Sequence, residues 1–419
     1  MFPDMKSTDS TYRRPRRGIS GWFDAMARVF RREWSNIFSD LGVMLFFIAL
    51  PLGYPIIYTL IYNPEVITDM PIAVVDLSRT ADSRSLVQSI SAAPSVEVYA
   101  NCSNMAEAKD LFGQNKVFAI VEIPADYARR LGRGEQATVP VYMQMSLLLR
   151  YRTLLSTLTD LQLKVAGDVT STRLATMGAS ALGLDGGLPV ESHNNFIGDP
   201  TQGFASFVMP GVLILILQQS MVLGICMLAG TSRERRRRNG GIDPTQIQDV
   251  PVSAAIWGKT LCYFVLYIPL AIYVVRWLPE MFSLPHVGNP VDYALFLVPF
   301  LLGSAMFGQA MSGLCTERES GFLVVVFTSV VFLFLSGLTW PRYAMNGFWT
   351  WLGNLVPATW GVEGFIRINA NGSTLGETTH PYLMLWILTA AYFIVSWAVA
   401  RYSATSHTRR VKSDLNVPA

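Results

Sequence analysis

The chain has 419 residues, 51% of them hydrophobic and 15% charged, with a formal net charge of +3. A mean hydropathy of +0.33 fits a membrane protein that carries a soluble domain and speaks against a soluble enzyme. The net charge is small, so its distribution matters more than its total, and it gives no reason to expect a nucleic-acid partner.

Residues 1–17 are polar and basic and read as a disordered cytoplasmic tail. Residues 20–38 change character. At about 100° per residue, Trp22, Phe23, Met26, Val29, Phe30, Trp34, Ile37 and Phe38 fall on one half of a helix. Asp24, Arg28, Arg31, Arg32 and Ser35 fall on the other half, and Glu33 breaks the apolar face. Aromatics opposite arginines suit a helix lying in the cytoplasmic membrane interface.

The first apolar run, 41–62, approaches the ~20 residues a helix needs to cross ~30 Å of hydrocarbon. It contains Pro51 and Pro55 and has neither a short basic leader nor a small-residue cleavage pattern. It therefore reads as a retained signal-anchor helix.

Residues 63–205 form a polar insertion in which strands alternate with helices. Strands are expected at 71–76, 96–99, 117–123 and 137–143, with helices at 81–90, 105–112 and 124–131. This alternation predicts an α/β domain. One or two long helices follow across 146–181, where proline is absent and apolar residues recur at helical spacing. Asp160, Lys164 and Asp168 there describe a solvated face.

Five further apolar runs stand at 207–229, 255–278, 291–314, 321–338 and 382–400. Residues 339–381 carry Trp340, Phe348, Trp351, Trp360 and Phe365, interrupted by Pro341 and Pro357. Broken helix at membrane depth is tolerated when packed against protein, so a re-entrant hairpin is expected over 339–368 on the outer face. The alternative is a surface loop rich in interface-seeking Trp.

Lys and Arg set the orientation. They crowd before the first run, from Lys6 and Arg13 to Arg32, after the second at Arg233 and 235–238, and in the 401–419 tail. The 279–290 loop has none and 339–381 has only Arg342 and Arg367. Both termini and the 230–254 loop are thus assigned to the cytoplasm, and 63–205 to the outside. The fold class is an α-helical integral membrane protein: six transmembrane helices within 41–62 and 206–400, an N-terminal interfacial helix, a re-entrant outer hairpin and an extracytoplasmic α/β domain inserted between helices 1 and 2.

Enzyme signatures are missing. Gly258-Lys259-Thr260 ends like a nucleotide-binding loop, but Ser253 stands at the required first glycine and the segment runs into an apolar helix. Neither H-E-x-x-H nor G-x-S-x-G occurs. Cys102, Cys226, Cys262 and Cys315 include no C-x-x-C, so neither a disulfide framework nor a zinc site is supported, and the four histidines do not cluster. No catalytic, metal or cofactor site is expected.

After the second span the chain reads Gly230-Thr-Ser-Arg-Glu-Arg-Arg-Arg-Arg-Asn-Gly-Gly-Ile-Asp-Pro, then Val250-Pro-Val-Ser and Trp257-Gly-Lys259. This resembles the first cytoplasmic loop of ABC-2 type export permeases. It departs in placing four consecutive arginines where the family mixes signs, and Gly240-Gly241 in place of a Gly-Thr pair. Leu335-Ser-Gly-Leu-Thr-Trp-Pro-Arg and Asn354-Leu-Val-Pro-Ala-Thr-Trp-Gly-Val-Glu363-Gly-Phe-Ile-Arg367 resemble the family's C-terminal signature. The Ile-Ala-Val-Val-Asp opening of the insertion, its Glu107-Ala108 helix and its Ile-Pro-Ala-Asp-Tyr127 turn look like the extracellular domain of longer members. The resemblance covers about 22–400.

The resemblance implies a permease subunit of an ATP-driven exporter in a bacterial inner membrane. Its expected partners are a separate ABC ATPase, which carries the ATP and Mg, a second permease as homodimer or heterodimer, and membrane lipid. A periplasmic adaptor with an outer-membrane channel is a further candidate. It also implies a coupling helix in 230–254, with Glu234, Arg235, Gly240, Ile242, Asp243, Gln246 and Pro251 as ATPase-coupling positions. Pro341, Asn354, Pro357, Glu363 and Arg367 are candidate outer-gate residues. Glu363 and Arg367 are spaced as a helical ion pair, which reads equally as a structural bond at the interface. Gln218, Gln219 and Ser220, mid-span amides and a hydroxyl, either face a substrate path or bond neighbouring helices. The rival from another class is a membrane-anchored scaffold whose external domain binds an envelope partner.

Overall fold

The computed structural model describes residues 18–62, 67–145, 148–176, 203–240, 243, 245–247 and 250–414. It divides into two units, Met1–Asn63 with Ile197–Ala419, and Pro64–Phe196.

The membrane unit opens with α1 (Ile19–Ser39), whose buried residues are Ala25, Val29, Glu33 and Ile37. These recur every fourth position and form one seam. Phe23 and Phe38 stay exposed, so the expected apolar half is divided: one edge meets protein and the other does not. Asp40 is extended and turns the chain into α2 (Leu41–Tyr62). Its carboxylate accepts from the amides of Gly42 and Val43 at 3.0 and 3.2 Å, satisfying donors a helix start leaves open.

The Pro64–Phe196 unit is built on a four-stranded sheet: β1 (Met70–Asp76), β2 (Val96–Cys102), β3 (Ala119–Ile123) and β4 (Val141–Met143), in the order β2-β1-β3-β4. β1 runs parallel to β2 and β3, and β4 is antiparallel to β3. The connecting helices are α3 (Ala81–Ser91), α4 (Met105–Gly113) and α5 (Tyr127–Arg133), and α6 (Leu148–Thr176) follows. Met70, Ile72 and Val74 pack on one face with Ile90, Tyr127 and Leu154. Ala73 and Val75 pack on the other with Ala108 and Ile120. A strand buried on both faces must be apolar at every position, which is why 71–75 reads as an unbroken run. α3 starts where Thr80 and Ser83 cap each other, and α4 where Asn104 accepts from the Glu107 amide at 2.9 Å.

The membrane unit resumes with α7 (Phe204–Arg238), α8 (Val252–Met281), α9 (Pro290–Leu314), α10 (Arg318–Leu335), α11 (Gly347–Asn354), α12 (Pro357–Asn371) and α13 (Thr379–Asp414). Among the described residues six helices, α2, α7, α8, α9, α10 and α13, are long and apolar enough to span a membrane, consistent with an integral membrane protein. α7 is central: 83% of its most apolar window is buried, against 22% for α2, α10 and α13. Apolar residues all round α7 meet protein, whereas Leu323, Phe327 and Val330 on α10 leave an apolar surface suited to hydrocarbon.

Two π-helical turns interrupt the spans, Leu45–Ala49 in α2 and Tyr273–Trp277 in α8, each ending two residues before a proline, Pro51 and Pro279. A widened turn relieves the clash between the proline ring and the preceding turn's carbonyl. In the 339–368 region, α11 exposes Phe348, Trp349 and Trp351, while α12 buries Trp360, Val362, Phe365 and Ile368 against the core. Asn346 caps α11, Pro357 opens α12, and Gly372 at φ 65 closes it.

Candidate functional site

α7 runs through Glu234 and Arg235 to Arg238, well past the expected end at 229. Arginine is a good helix former and its charge suits the negative end of the helix dipole, so loss of hydropathy does not stop the helix. Gly240, at φ 63, stops it instead, and Pro251 starts α8. The described residues between, Asp243, Thr245, Gln246, Ile247 and Val250, are not helical; Ile242 lies outside the described residues.

This end of α7 is tied in three directions. Toward the loop, the Ser232 hydroxyl donates to Asp243 Oδ2 at 2.5 Å, Gln246 Nε2 donates to Ser232 Oγ at 2.9 Å, and Arg236 donates to the Gln246 amide oxygen. Toward the α9–α10 turn, Arg233 donates to the carbonyls of Ser312 and Cys315, Glu234 accepts from the Arg318 amide at 2.9 Å, and Arg237 pairs with Glu317 at 3.0 Å. From there Arg318 reaches α2, donating to both oxygens of Asp40 at 2.7 and 2.9 Å. Gly42 makes room, because a Cβ there would collide with the Arg318 guanidinium.

Electrostatics follow the bonds. Burial works against ionisation of Asp40, but the Arg318 bond and charge and the Val43 and Gly42 amides outweigh it, so its carboxyl titrates below the ordinary range. Asp243 behaves alike: burial is overcome by Ser232, by the amide and hydroxyl of Thr245 and by Arg235.

α1 docks on α8 beside this network. A Cβ on Gly258 would stand 2.7 Å from the Met26 carbonyl, so only glycine permits this approach. Glu33, 7% exposed, accepts from the Tyr263 hydroxyl and lies 3.8 Å from Lys259 Nζ. Trp22 Nε1 donates to Ser253 Oγ at 3.0 Å. The Gly258-Lys259 pair is thus a docking surface for α1.

A second cluster lies where α12 packs beside the N-terminal half of α7. Glu363 pairs with Arg367 at 2.6 Å, as the spacing predicts, and also with Arg342 at 2.5 Å. Arg342 further donates to the Asn354 side chain and stacks 4.4 Å from the Trp360 ring centre, while Trp360 Nε1 donates to the Asn354 carbonyl at 3.0 Å. Arg342 is the deeper partner, 18% exposed against 44% for Arg367. Pro341 and Pro357 set the backbone around this cluster by ending one segment and starting the next.

In the middle of α7, Ser220 donates to the Leu217 carbonyl and accepts from Tyr267 Oη at 2.9 Å, so it bonds a neighbouring helix. Gln218 and Gln219 have side-chain atoms with no hydrogen-bond partner, as do Ser304 on α9 and Thr359 on α12. Unbonded amides here are costly and mark a place where the helices are not optimised for stability.

Sequence reasoning missed Asp40, Arg318, Arg342, Lys259 and Tyr263. A signal existed for the first three: each is a charge at the edge of an apolar run, Asp40 and Arg342 alone and Arg318 between Glu317 and Glu319, and such charges pair. Nothing local indicates which partner each finds. Among the described residues no three His, Cys, Asp or Glu side chains converge as a metal site would require.

A family profile described as ABC-2 family transporter protein matches residues 42–398. The chain is 23% identical over 209 residues to ABC transporter G family member 20 of Dictyostelium discoideum, covering 48% of this chain and 26% of that protein. It is 28% identical over 103 residues to Brefeldin A resistance protein of Schizosaccharomyces pombe, covering 24% and 7%. The aligned segments thus span about a quarter or less of these curated relatives. The family profile itself reaches from α2 into α13 and takes in every span, so the chain belongs to the ABC-2 transporter family as a membrane-spanning component.

Proposed function

We propose that the chain is the permease subunit of an ATP-driven exporter, with ATP and Mg bound by a separate ABC ATPase and none on this chain. The arginine-rich end of α7 is cytoplasmic in this reading, both termini lie on that side, the membrane is a bacterial inner membrane, and the 63–205 insertion is extracytoplasmic. Two permeases, identical or not, would enclose the path. A periplasmic adaptor receiving the substrate is compatible with the insertion.

The observation that carries the reading is the three-way tie at Ser232–Arg237. A push on the loop at Asp243 and Gln246 reaches α7 through Ser232 and Arg236. It passes to α10 through Glu234 and Arg237, and to α2 through Arg318 and Asp40. α7 is one unbroken helix from that end to the residues packed on α12. Closure of an ATPase below would therefore move three spans together and shift α12, where Glu363 joins Arg342 and Arg367. A two-state shift of packed helices is the usual means of such transmission.

The test is co-purification from native membranes through a C-terminal tag. An ABC ATPase should elute with the chain and be lost when residues 242–250 are replaced by a Gly/Ser linker. Retention of an envelope protein on the insertion, with no ATPase under any mild condition, would sink the exporter reading in favour of a scaffold.

A further inference from the structure

We propose that the cavity between α1, α7 and α8 at the arginine-rich end seats the headgroup of an anionic phospholipid. The cavity holds about 330 Å³, near the lower end of small-molecule sites. Among its described lining residues, four are cations, Arg32, Arg233, Arg236 and Lys259, and one is a carboxylate, Glu33. Glu33 is already engaged by Tyr263 and Lys259. Asp243, bonded to the lining residues Ser232 and Thr245, spends both oxygens on them. The cavity therefore keeps a net positive field.

The remaining wall is mixed: Ser232, Gln246, Gln309 and Ser396 are polar, and Val29, Ile225, Ala229, Ile256 and Val399 give it an apolar side. Ile225 and Ala229 belong to the apolar stretch of α7, and Arg233 and Arg236 follow one and two turns later on the same helix. The cavity thus straddles the level at which α7 passes from apolar to charged, which is where a lipid phosphate resides. A free anion has no use for the apolar wall, and a neutral lipid has no use for the cations. Basic pockets between membrane helices draw acidic headgroups by both terms. The volume admits a phosphate and glycerol, with the acyl chains leaving along the apolar wall.

This inference rests on the orientation assigned above, but its test needs neither ATPase nor transport, so its failure would leave the exporter reading standing. The full chain in neutral detergent is titrated with phosphatidylglycerol, phosphatidylcholine or inorganic phosphate, and bound lipid is counted by native mass spectrometry. Phosphatidylglycerol should be retained at least tenfold more tightly than phosphatidylcholine. The double variant Arg32→Gln/Lys259→Gln should lose that preference, Lys259→Arg should keep it, and Arg238→Gln, outside the cavity on the same helix end, should leave it unchanged. Equal retention of the two lipids overturns the proposal. So does an equal loss in Arg238→Gln, which would mean diffuse attraction to a basic surface. Full competition by inorganic phosphate would make the cavity a simple anion site and overturns the lipid assignment. If the double variant does not fold, comparison of the lipids on the native chain and Lys259→Arg still decides.

Discussion

Arg318 grips both carboxylate oxygens of Asp40, at 2.7 and 2.9 Å, across 278 positions of sequence. The same carboxylate caps α2, so one acid joins the start of the first span to the start of the fifth. Asp40→Ala should therefore cost the cap, about 0.5–2 kcal/mol, and further stability from the stranded arginine. Thermal melts of Asp40→Ala, Arg318→Ala and the double variant should show a double loss smaller than the sum.

The same pair sets an acid limit. Asp40 titrates below the ordinary carboxylate value of about 3.9 in the folded chain. Its contribution is therefore complete above that pH and is lost as pH falls through the lowered folded value. As pH falls below about 4, the ordinary carboxylate value, the native chain should lose melting temperature by more than Asp40→Asn does. Equal acid sensitivity would remove the Arg318 bond from the account.

Gly258→Leu should unseat α1, because even a Cβ there stands 2.7 Å from the Met26 carbonyl and 3.0 Å from Val29 Cβ. Overpacking of this kind costs roughly 1–3 kcal/mol. Limited proteolysis should cut within Ile19–Ser39 faster in this variant, whereas Gly53→Ala, with nothing within 4 Å, should behave as native.

Arg342→Ala should be worse than Arg367→Ala, although the spacing favours the second pair. Arg342 is deeper and holds Glu363, Asn354 and the Trp360 ring at once. A loss on the order of 2 kcal/mol is expected, between the ~3–5 of a buried pair and the ~1 or less of an exposed one; Arg367→Ala should fall at the lower limit. Melting temperatures of the two variants decide the order.

Gln218→Leu should raise stability, since an unbonded buried amide costs ~1–3 kcal/mol and leucine costs none of it. Under the exporter reading the same change lowers transport, because the amide is kept for a state in which it finds a partner. A variant both steadier in melts and slower in vesicle efflux is the expected outcome; one that is steadier with full efflux would make Gln218 merely structural.

The spans were legible because apolar length is a local property. The expected 291–314 and observed Pro290–Leu314 nearly coincide, and every other span lies within a few residues except at the ends of α7 and α13, which run on as helix to Arg238 and Asp414. The strands at 71–76 and 96–99 were legible for the same reason, with their ends at Asp76 and Cys102. The coupling segment was less so. Arg235 reads as loop by charge and is helix by propensity and dipole, and hydropathy registers only the first.

Sequence alone determined the six apolar helices among the described residues, the strand–helix alternation from Met70 to Met143 and the family, because each depends on the order of residues along the chain. Tertiary structure alone decided the pairing of charges. Asp40 with Arg318, Glu33 with Tyr263 and Lys259, and Glu363 with Arg342 join segments that only packing brings within hydrogen-bond reach. A charge at the edge of an apolar helix needs a partner; which partner it takes depends on how the helices cross.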